Sequence, residues 1–505
     1  MSHMRGRLAS SVAAGAAALA LVAVPGKVIA AQSFQQAVKV TAPSNAGSNP
    51  NAILNSVACN SVGNCVGVGS YTDNSGNTQA MAAAETNGTW GQAVEVTAPA
   101  GAASDPSATL QGVSCTSAGN CEAVGSYDHT SGEPKAMAAA ETKGTWARAV
   151  SVSLPAGGQA GPFAGLSGVS CTSSGNCEAV GSYDNVSPPP TTLAMAATET
   201  NGTWGQAVTV SAPGSGGTVL NILEGVSCTS AGNCEAVGLY GNSVNSGYAL
   251  AATETKGTWG QAVAVTAPAG AFGSPPQSSL DGLSCTSAGN CQAVGAYPLS
   301  SNSDQAMEAT ETDGAWGQAV VVTSPAGAGT PPFVVLSGLS CASAANCQAV
   351  GDYSDSSGNT QAMAATETNG TWGQAVEVTA PAGAASNPSA ALRGISCTPA
   401  GNCEAVGHYT DSSGNTQALA ASETAPAPTI TSFSPHSGPV GTKVTIKGTN
   451  LSGATKVTFH GTAAAIASDT ATKIVVDVPA GATTGKITVK TANGTATSAT
   501  KFTVT

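Results

Sequence analysis

The sequence predicts an all-β protein: a seven-bladed β-propeller closed by its own N-terminal strand, followed by an immunoglobulin-like β-sandwich. Three observations carry this reading. First, a unit recurs seven times, with first cysteines at Cys59, Cys115, Cys171, Cys228, Cys285, Cys341 and Cys397, spaced 56, 56, 57, 57, 56 and 56 residues apart. A fixed period of that length marks stacked supersecondary units. Second, each unit holds four short strand-like runs bounded by Gly, Asn, Asp or Pro, which is the hairpin pattern. Third, the last unit stops after three runs at Thr424, and a matching fourth run, Ser33–Val40, stands alone near the N-terminus.

The chain begins with a segment that reads as an export signal. Arg5 and Arg7 form a basic start, residues 8–25 are apolar and Ala-rich, and small residues around Ala30 and Ala31 offer a cleavage site. Residues 1–31 are therefore expected to be a signal peptide and the mature protein to be secreted or held at the cell surface. The competing reading is an uncleaved anchor helix, against which Pro25 and Gly26 speak. No later segment is long and apolar enough to cross a bilayer.

Residues 32–424 are expected to form the propeller. In the second unit the four strands are read as Leu110–Cys115, Cys121–Tyr127, Ala136–Thr142 and Thr145–Val152. The third and fourth are joined by Asn-Gly or Lys-Gly in most units, a two-residue hairpin signal. Phe34 takes the place that Trp90, Trp146, Trp204, Trp259, Trp316 and Trp372 hold elsewhere. An open β-solenoid or a string of beads gains nothing from the offset of one strand. A closed ring does, because the N-terminal strand removes the free edge of the last blade.

Each first cysteine is followed six positions later by a second: Cys65, Cys121, Cys177, Cys234, Cys291, Cys347 and Cys403. Two cysteines flanking a tight antiparallel turn face one another at bridging distance. Seven disulfides are expected, each contributing roughly 2 kcal/mol through chain entropy. Metal binding is the alternative, but zinc needs ligand pairs that converge, and a ring would hold these apart. Paired cysteines fit an oxidising, extracellular compartment.

Two further residues recur once per unit. The tryptophans are read as filling gaps between Ala-rich blades, with sugar stacking as the alternative. Glu85, Glu141, Glu199, Glu254, Glu311, Glu367 and Glu423 are read as solvated edge residues, with a cation-collecting ring as the alternative. The turns beginning at Asp73, Asp355 and Asp411 have the look of calcium loops but lack the further carboxylates calcium needs. No cofactor is expected, with calcium at these turns as the alternative.

Residues 425–428 read as a linker, and 429–505 as a second domain. Its alternating runs Lys443–Lys447, Lys456–Phe459, Lys473–Val478, Lys486–Lys490 and Lys501–Val504 give a sandwich. The stretch Pro428-Thr-Ile-Thr-Ser-Phe-Ser-Pro-His-Ser-Gly-Pro-Val-Gly-Thr442, with Val478-Pro-Ala-Gly481, closely resembles the IPT/TIG domain. That resemblance implies a spacer or contact module. The repeat region is similar to secreted bacterial proteins with Val-Ser-Cys…Cys-x-Ala-Val-Gly units, and its offset strand resembles the closure of WD40-type propellers. The Gly-His and Trp-Asp signatures of the latter are absent. The corner Thr198–Trp204 also resembles a sialidase Asp-box, with Trp204 one residue early.

Composition narrows function. The chain carries a net charge of −12 and only 9% charged residues, which argues against nucleic acid or an anionic membrane as partner. Only Arg148 and Arg393 remain beyond the signal, so a three-arginine sialidase clamp cannot be built. His129 and His408 are the only histidines of the repeats. No acid is read as standing apart from its repeat equivalents in a way that suggests catalysis, and the chain is expected not to be an enzyme, with paired carboxylates for glycoside hydrolysis as the alternative.

The first and third turns of a blade lie on one face of a propeller, and the second turn and the connections on the other. The latter vary between units, and variation on a constant scaffold is how binding loops are carried. The candidate binding face is Asp73, Asp128, His129, Phe163, Asp184, Phe272, Phe333, Asp355 and Asp411. The expected function is recognition or adhesion by a monomer, with a glycan or protein ligand. The alternatives are an extracellular polysaccharide hydrolase or lyase, and a structural envelope protein.

Overall fold

The computed structural model describes residues 34–505 apart from 157–162, 186–190, 215–219, 244–245, 274, 400, 424–426, 471 and 492. The expected signal segment, most of the linker and the tip of the Pro-rich turn after Asn185 lie outside the described residues.

The repeat region is built of antiparallel blades. In the second unit the strands are Thr109–Ser117, Asn120–Asp128 and Pro134–Thr142, followed by two short pieces, Thr145–Trp146 and Val150–Ser151. The fourth strand was expected to be continuous over Thr145–Val152, and here the structure differs. The chain leaves the ladder at Ala149, whose amide donates to the Thr97 carbonyl of the preceding blade at 3.0 Å. A donor used between blades is lost to the blade's own sheet, so the strand breaks there. Ala93, Ala207, Ala262, Ala319 and Ala375 repeat the link, and Ala37 makes it to Thr379.

The turn between third and fourth strands is the two-residue hairpin its sequence calls for. Lys143 (φ 51°) and Gly144 (φ 78°) both adopt left-handed backbone, which matches the right-handed twist of the strands it joins. The Gly144 amide donates to Gly119 in the first turn, so these turns share a face. On the other face the connections lie over the second turns, through the bridges Ala46↔Asp73, Ala102↔His129, Ala328↔Asp355 and Ala384↔Asp411.

The offset strand pairs as the sequence suggests. Val38–Val40 runs antiparallel to Ala418–Ala420 in the last unit, with Phe34 bridging Glu423. The first strands of successive units touch, and that of the last unit, Ala391–Cys397, also touches that of the first, Ile53–Ser61. Between units, the Cys171 amide donates to the Ser114 hydroxyl at 3.0 Å, and Cys59 does the same to Ser396 across the two ends of the array.

All 14 cysteines pair within their units, from Cys59–Cys65 to Cys397–Cys403. The core alternates small and large side chains: Leu110, Met137 and Tyr127 are fully buried among Ala123, Ala139 and Ala149. Ala-rich strands approach closely, so one Met, one Leu and one Tyr fill the space left in this blade.

Residues 428–504 form two packed sheets. One contains Thr429–Ser434, Lys443–Thr449, Lys473–Asp477 and Ile466–Thr470; the other contains Ser437–Gly438, Gly494–Val504, Gly485–Thr491, Lys456–Phe459 and Thr462–Ala464. Phe459 and Phe502 meet edge to face in the core, their centroids 5.1 Å apart. The Asn402 side chain, in the last unit's first turn, donates to Asn493 of this domain.

Candidate functional site

Every first strand carries a β-bulge. In the second unit Leu110 pairs with Gly125 and Gly112 with Val124, which leaves Gln111 as the extra residue. A bulge re-aims one side chain and tightens the local twist. It also brings the Thr109 carbonyl to within 1.9 Å of where a Cβ on Gly125 would stand. The glycine of each Ala-Val-Gly is therefore a requirement of the bulge.

The seven bulge residues are Asn55, Gln111, Ser167, Glu224, Asp281, Ser337 and Arg393, and all of them line one cavity of about 510 Å³. The following glycine lets neighbouring first strands approach: a Cβ on Gly112 would lie 3.0 Å from the Ser167 carbonyl oxygen, and one on Gly394 2.8 Å from Ser56 Cα. Seven equivalent backbone positions thus present seven independently chosen side chains around one cavity.

Their chemistry is uneven. Asn55 donates to the Leu110 carbonyl at 2.9 Å, tying it to the next blade. Glu224 accepts a hydrogen bond from Ser167, and burial pushes its carboxyl up despite that bond. Burial, and then the Glu224 charge, raise Asp281 to about 7. Two acids whose carboxyls burial raises thus share a confined space. On another side stands Arg393, whose charge works against the upward push of burial on Asp352. The same charge joins burial in lowering His408 to about 4. Asp352 and His408 occupy equivalent positions on second strands, opposite Val335 and Ala391.

The sequence reading overlooked these residues, among which Glu224 and Asp281 differ from their equivalents in the other units. The signal was present: four residues before each first cysteine the units read Asn, Gln, Ser, Glu, Asp, Ser and Arg. That variation is hidden when units are compared by strand and turn, because it falls inside a strand.

The once-per-unit glutamates also require correction. They are between 2% and 6% exposed, not solvated. Each lies at the end of a third strand, six of them paired across the turn with the tryptophan of their own unit, as Glu141 with Trp146, and Glu423 with Phe34. The tryptophans do bridge blades: Trp204 Nε1 donates to Glu122 at 3.2 Å, Trp259 to Glu178 at 3.0 Å and Trp316 to Glu235 at 3.1 Å.

On the variable face, Asp73, Asp355 and Asp411 build their own turns. Asp355 Oδ1 accepts the amides of Ser357 (2.8 Å) and Asn359 (2.9 Å), and Oδ2 accepts Gln361 Nε2 (3.1 Å). Those bonds, led by the Asn359 amide, hold its carboxyl at about 2. His129 replaces the aspartate in the second unit, accepting the Ser131 amide on Nδ1. Asp184 accepts the Thr192 hydroxyl at 2.8 Å. Asp128 joins its connection through its backbone, donating to Pro106. Phe163, Phe272 and Phe333 are exposed, and Phe163 also lines the cavity. Among the described residues no group of three or more His, Cys, Asp or Glu is placed to hold a metal ion.

Residues 428–504 match the IPT/TIG domain family. No curated protein matches the chain. Among solved structures, an auxiliary nutrient binding protein from Bacteroides thetaiotaomicron aligns over 16% of this chain and 21% of its own, at 26% identity and a TM-score of 0.15. A polysaccharide lyase, an ulvan lyase, aligns over 76% and 95% at 10% identity and 0.46. A Trypanosoma rangeli sialidase aligns over 77% and 59% at 10% and 0.38. Likenesses at these scores assign neither ligand nor reaction.

Proposed function

We propose that the chain is an exported, non-catalytic recognition protein in which residues 32–424 close into a seven-bladed propeller that binds a glycan in its central cavity. The observation that carries this is the ring of bulge residues. Scaffold positions repeat, as the glycines and cysteines do, whereas these seven differ in charge and hydrogen-bonding capacity. A concave site with a few placed polar groups is how small ligands are oriented. Gln111, Ser337 and Arg393 offer donors to sugar hydroxyls, and Glu224 and Asp281 offer acceptors. Phe163, 44% exposed, supplies an apolar ring face at the same cavity. The IPT/TIG domain serves as a spacer or a contact module for the cell surface. Seven disulfides fit an oxidising compartment, and no helix among the described residues is long and apolar enough to cross a membrane.

A second reading is favoured by one observation. Glu224 and Asp281 are neighbouring acids, both raised by burial, and the Glu224 charge adds to the push on Asp281, an arrangement that would set one as proton donor and the other as base. That division of roles serves glycoside cleavage. The test is a panel of polysaccharides offered to the oxidised mature chain and to Phe163→Ala, Asp281→Asn and Glu224→Gln variants, scored for retention and for new chain ends. Retention lost in the variants, without cleavage by the parent, supports recognition. Cleavage that Glu224→Gln abolishes makes the protein an enzyme. Retention untouched by all three variants removes the cavity as the site.

A further inference from the structure

The seams between blades hold a second pattern of acids, apart from the cavity. The residue after each second cysteine is Val66, Glu122, Glu178, Glu235, Gln292, Gln348 or Glu404. It faces the once-per-unit glutamate of the next blade. Where it is glutamine, the contact is explicit: Gln292 Nε2 donates to Glu367 Oε1 at 3.1 Å, and Gln348 Nε2 to Glu423 Oε1 at 2.9 Å. The Gln348 oxygen meanwhile accepts the Thr366 hydroxyl at 2.9 Å.

Where the residue is glutamate, the indole of the next blade donates to it. Glu178 accepts from Thr198 and from Trp259, Glu235 from Thr253 and Trp316, and Glu404 from Ser422 and Trp90. Glu122 faces Ala140 and accepts from Trp204 alone. One side of each carboxyl is thus occupied, and where glutamine reaches the glutamate of the next blade, a second carboxylate acts electrostatically instead: Glu199 on Glu122, Glu311 on Glu235, Glu178 on Glu254 and Glu85 on Glu404. Two ionised carboxylates do not coexist at hydrogen-bond range in a buried site. A protonated carboxyl, however, has the shape of the glutamine amide, with O–H in place of N–H.

We propose that the pairs Glu122/Glu199, Glu178/Glu254, Glu235/Glu311 and Glu404/Glu85 each bind one proton between two carboxyl groups, so that four seams are held by a releasable donor where two others use the fixed amide of glutamine. The eight residues are between 3% and 6% exposed. The forces on them are burial, the partner carboxylate, and hydrogen bonds from the indoles and hydroxyls named above; no Lys, Arg or His acts on any of them. Burial, and then the partner, raise Glu122 to about 8 and Glu235 and Glu404 to about 7.

The sign of the linkage follows. An acid whose carboxyl titrates higher in the folded than in the unfolded chain contributes stability that is complete below its unfolded value. That stability is lost as pH rises through the folded value. The seams are tight in mildly acidic medium and weaken as pH climbs through about 7 to 8.

The test is thermal unfolding of the full mature chain from about pH 5 to about pH 8.5, compared with the variant carrying Glu122→Gln, Glu178→Gln, Glu235→Gln and Glu404→Gln. The parent should lose more Tm with rising pH than the variant, which retains the buried Glu308 and Glu423, each also raised to about 7. The variant should also take up fewer protons by one per seam in a parallel acid–base titration. Gln348→Glu should add a proton and steepen the fall. Equal slopes and equal proton counts for parent and variant overturn the proposal. So does a quadruple variant that fails to fold at acid pH, since the amide would then be no substitute for the protonated acid.

Discussion

The indole of Trp90 donates to Glu404 at 3.0 Å across 314 positions of sequence, joining the first blade to the last. It is the bond that Trp204 makes to Glu122 between adjacent blades, at 3.2 Å. Replacing Trp90 with Phe removes one of the two donors to the buried Glu404 carboxyl and leaves Ser422, at a cost of about 1–3 kcal/mol. Trp146 faces Val66 at the equivalent place, so Trp146→Phe should cost less. Paired thermal melts at one pH check this; an equal cost for the two would mean that packing alone sets the indole's contribution.

Removing residues up to Val40 should expose the third strand of the last unit. Val40 is 1% exposed and Ala37 4%, and the backbone pairing with Ala418–Ala420 would go with them. Burying one valine contributes about 1.5–3 kcal/mol, and an unpaired edge recruits other chains. The shortened chain should melt earlier and self-associate in light scattering. Unchanged melting and a monodisperse solution would show the strand to be an accessory.

Gly125→Ala places a Cβ against the Thr109 carbonyl. The bulge must then shift or the sheet must open, at about 1–3 kcal/mol. Denaturant midpoints measure it. The same change at Gly132, where nothing lies within 4 Å but φ is +82°, tests backbone conformation alone.

His408 should titrate far below an ordinary histidine, near 4, because it is buried and Arg393 is close. Here the linkage runs opposite to that of the seams. The stability that the neutral ring contributes is present above the unfolded value and lost as pH falls from about 6.5 toward 4. Proton NMR of the ring should give that low midpoint, and Arg393→Gln should raise it. A midpoint that ignores Arg393 would separate the two groups.

Much of the architecture was legible in the sequence because it is periodic. The cysteine pairs, the Lys-Gly and Asn-Gly turns and the displaced Ser33–Val40 run each announce a local geometry that recurs. What was not legible depends on where neighbouring blades meet. Glu141 follows alanines and precedes a polar turn, which locally describes an edge; only the adjacent blade buries it. Gln111 reads as an ordinary strand residue, and only the bulge turns it toward the cavity. The break at Ala149 is likewise invisible until the Thr97 carbonyl arrives from the preceding blade.

The pairing of the N-terminal strand with the last unit has a genetic consequence. A copy error that removes or duplicates one 56- or 57-residue period excises or inserts the equivalent of one whole blade, wherever its breakpoints fall within the array. The chain ends are untouched, so Val38–Val40 still finds the same partner strand at Ala418–Ala420. Each such event also deletes or repeats one bulge residue, altering the polar lining by a single member. Near-identical repeats invite these slippages, and the unchanged pairing of the chain ends keeps their products in register.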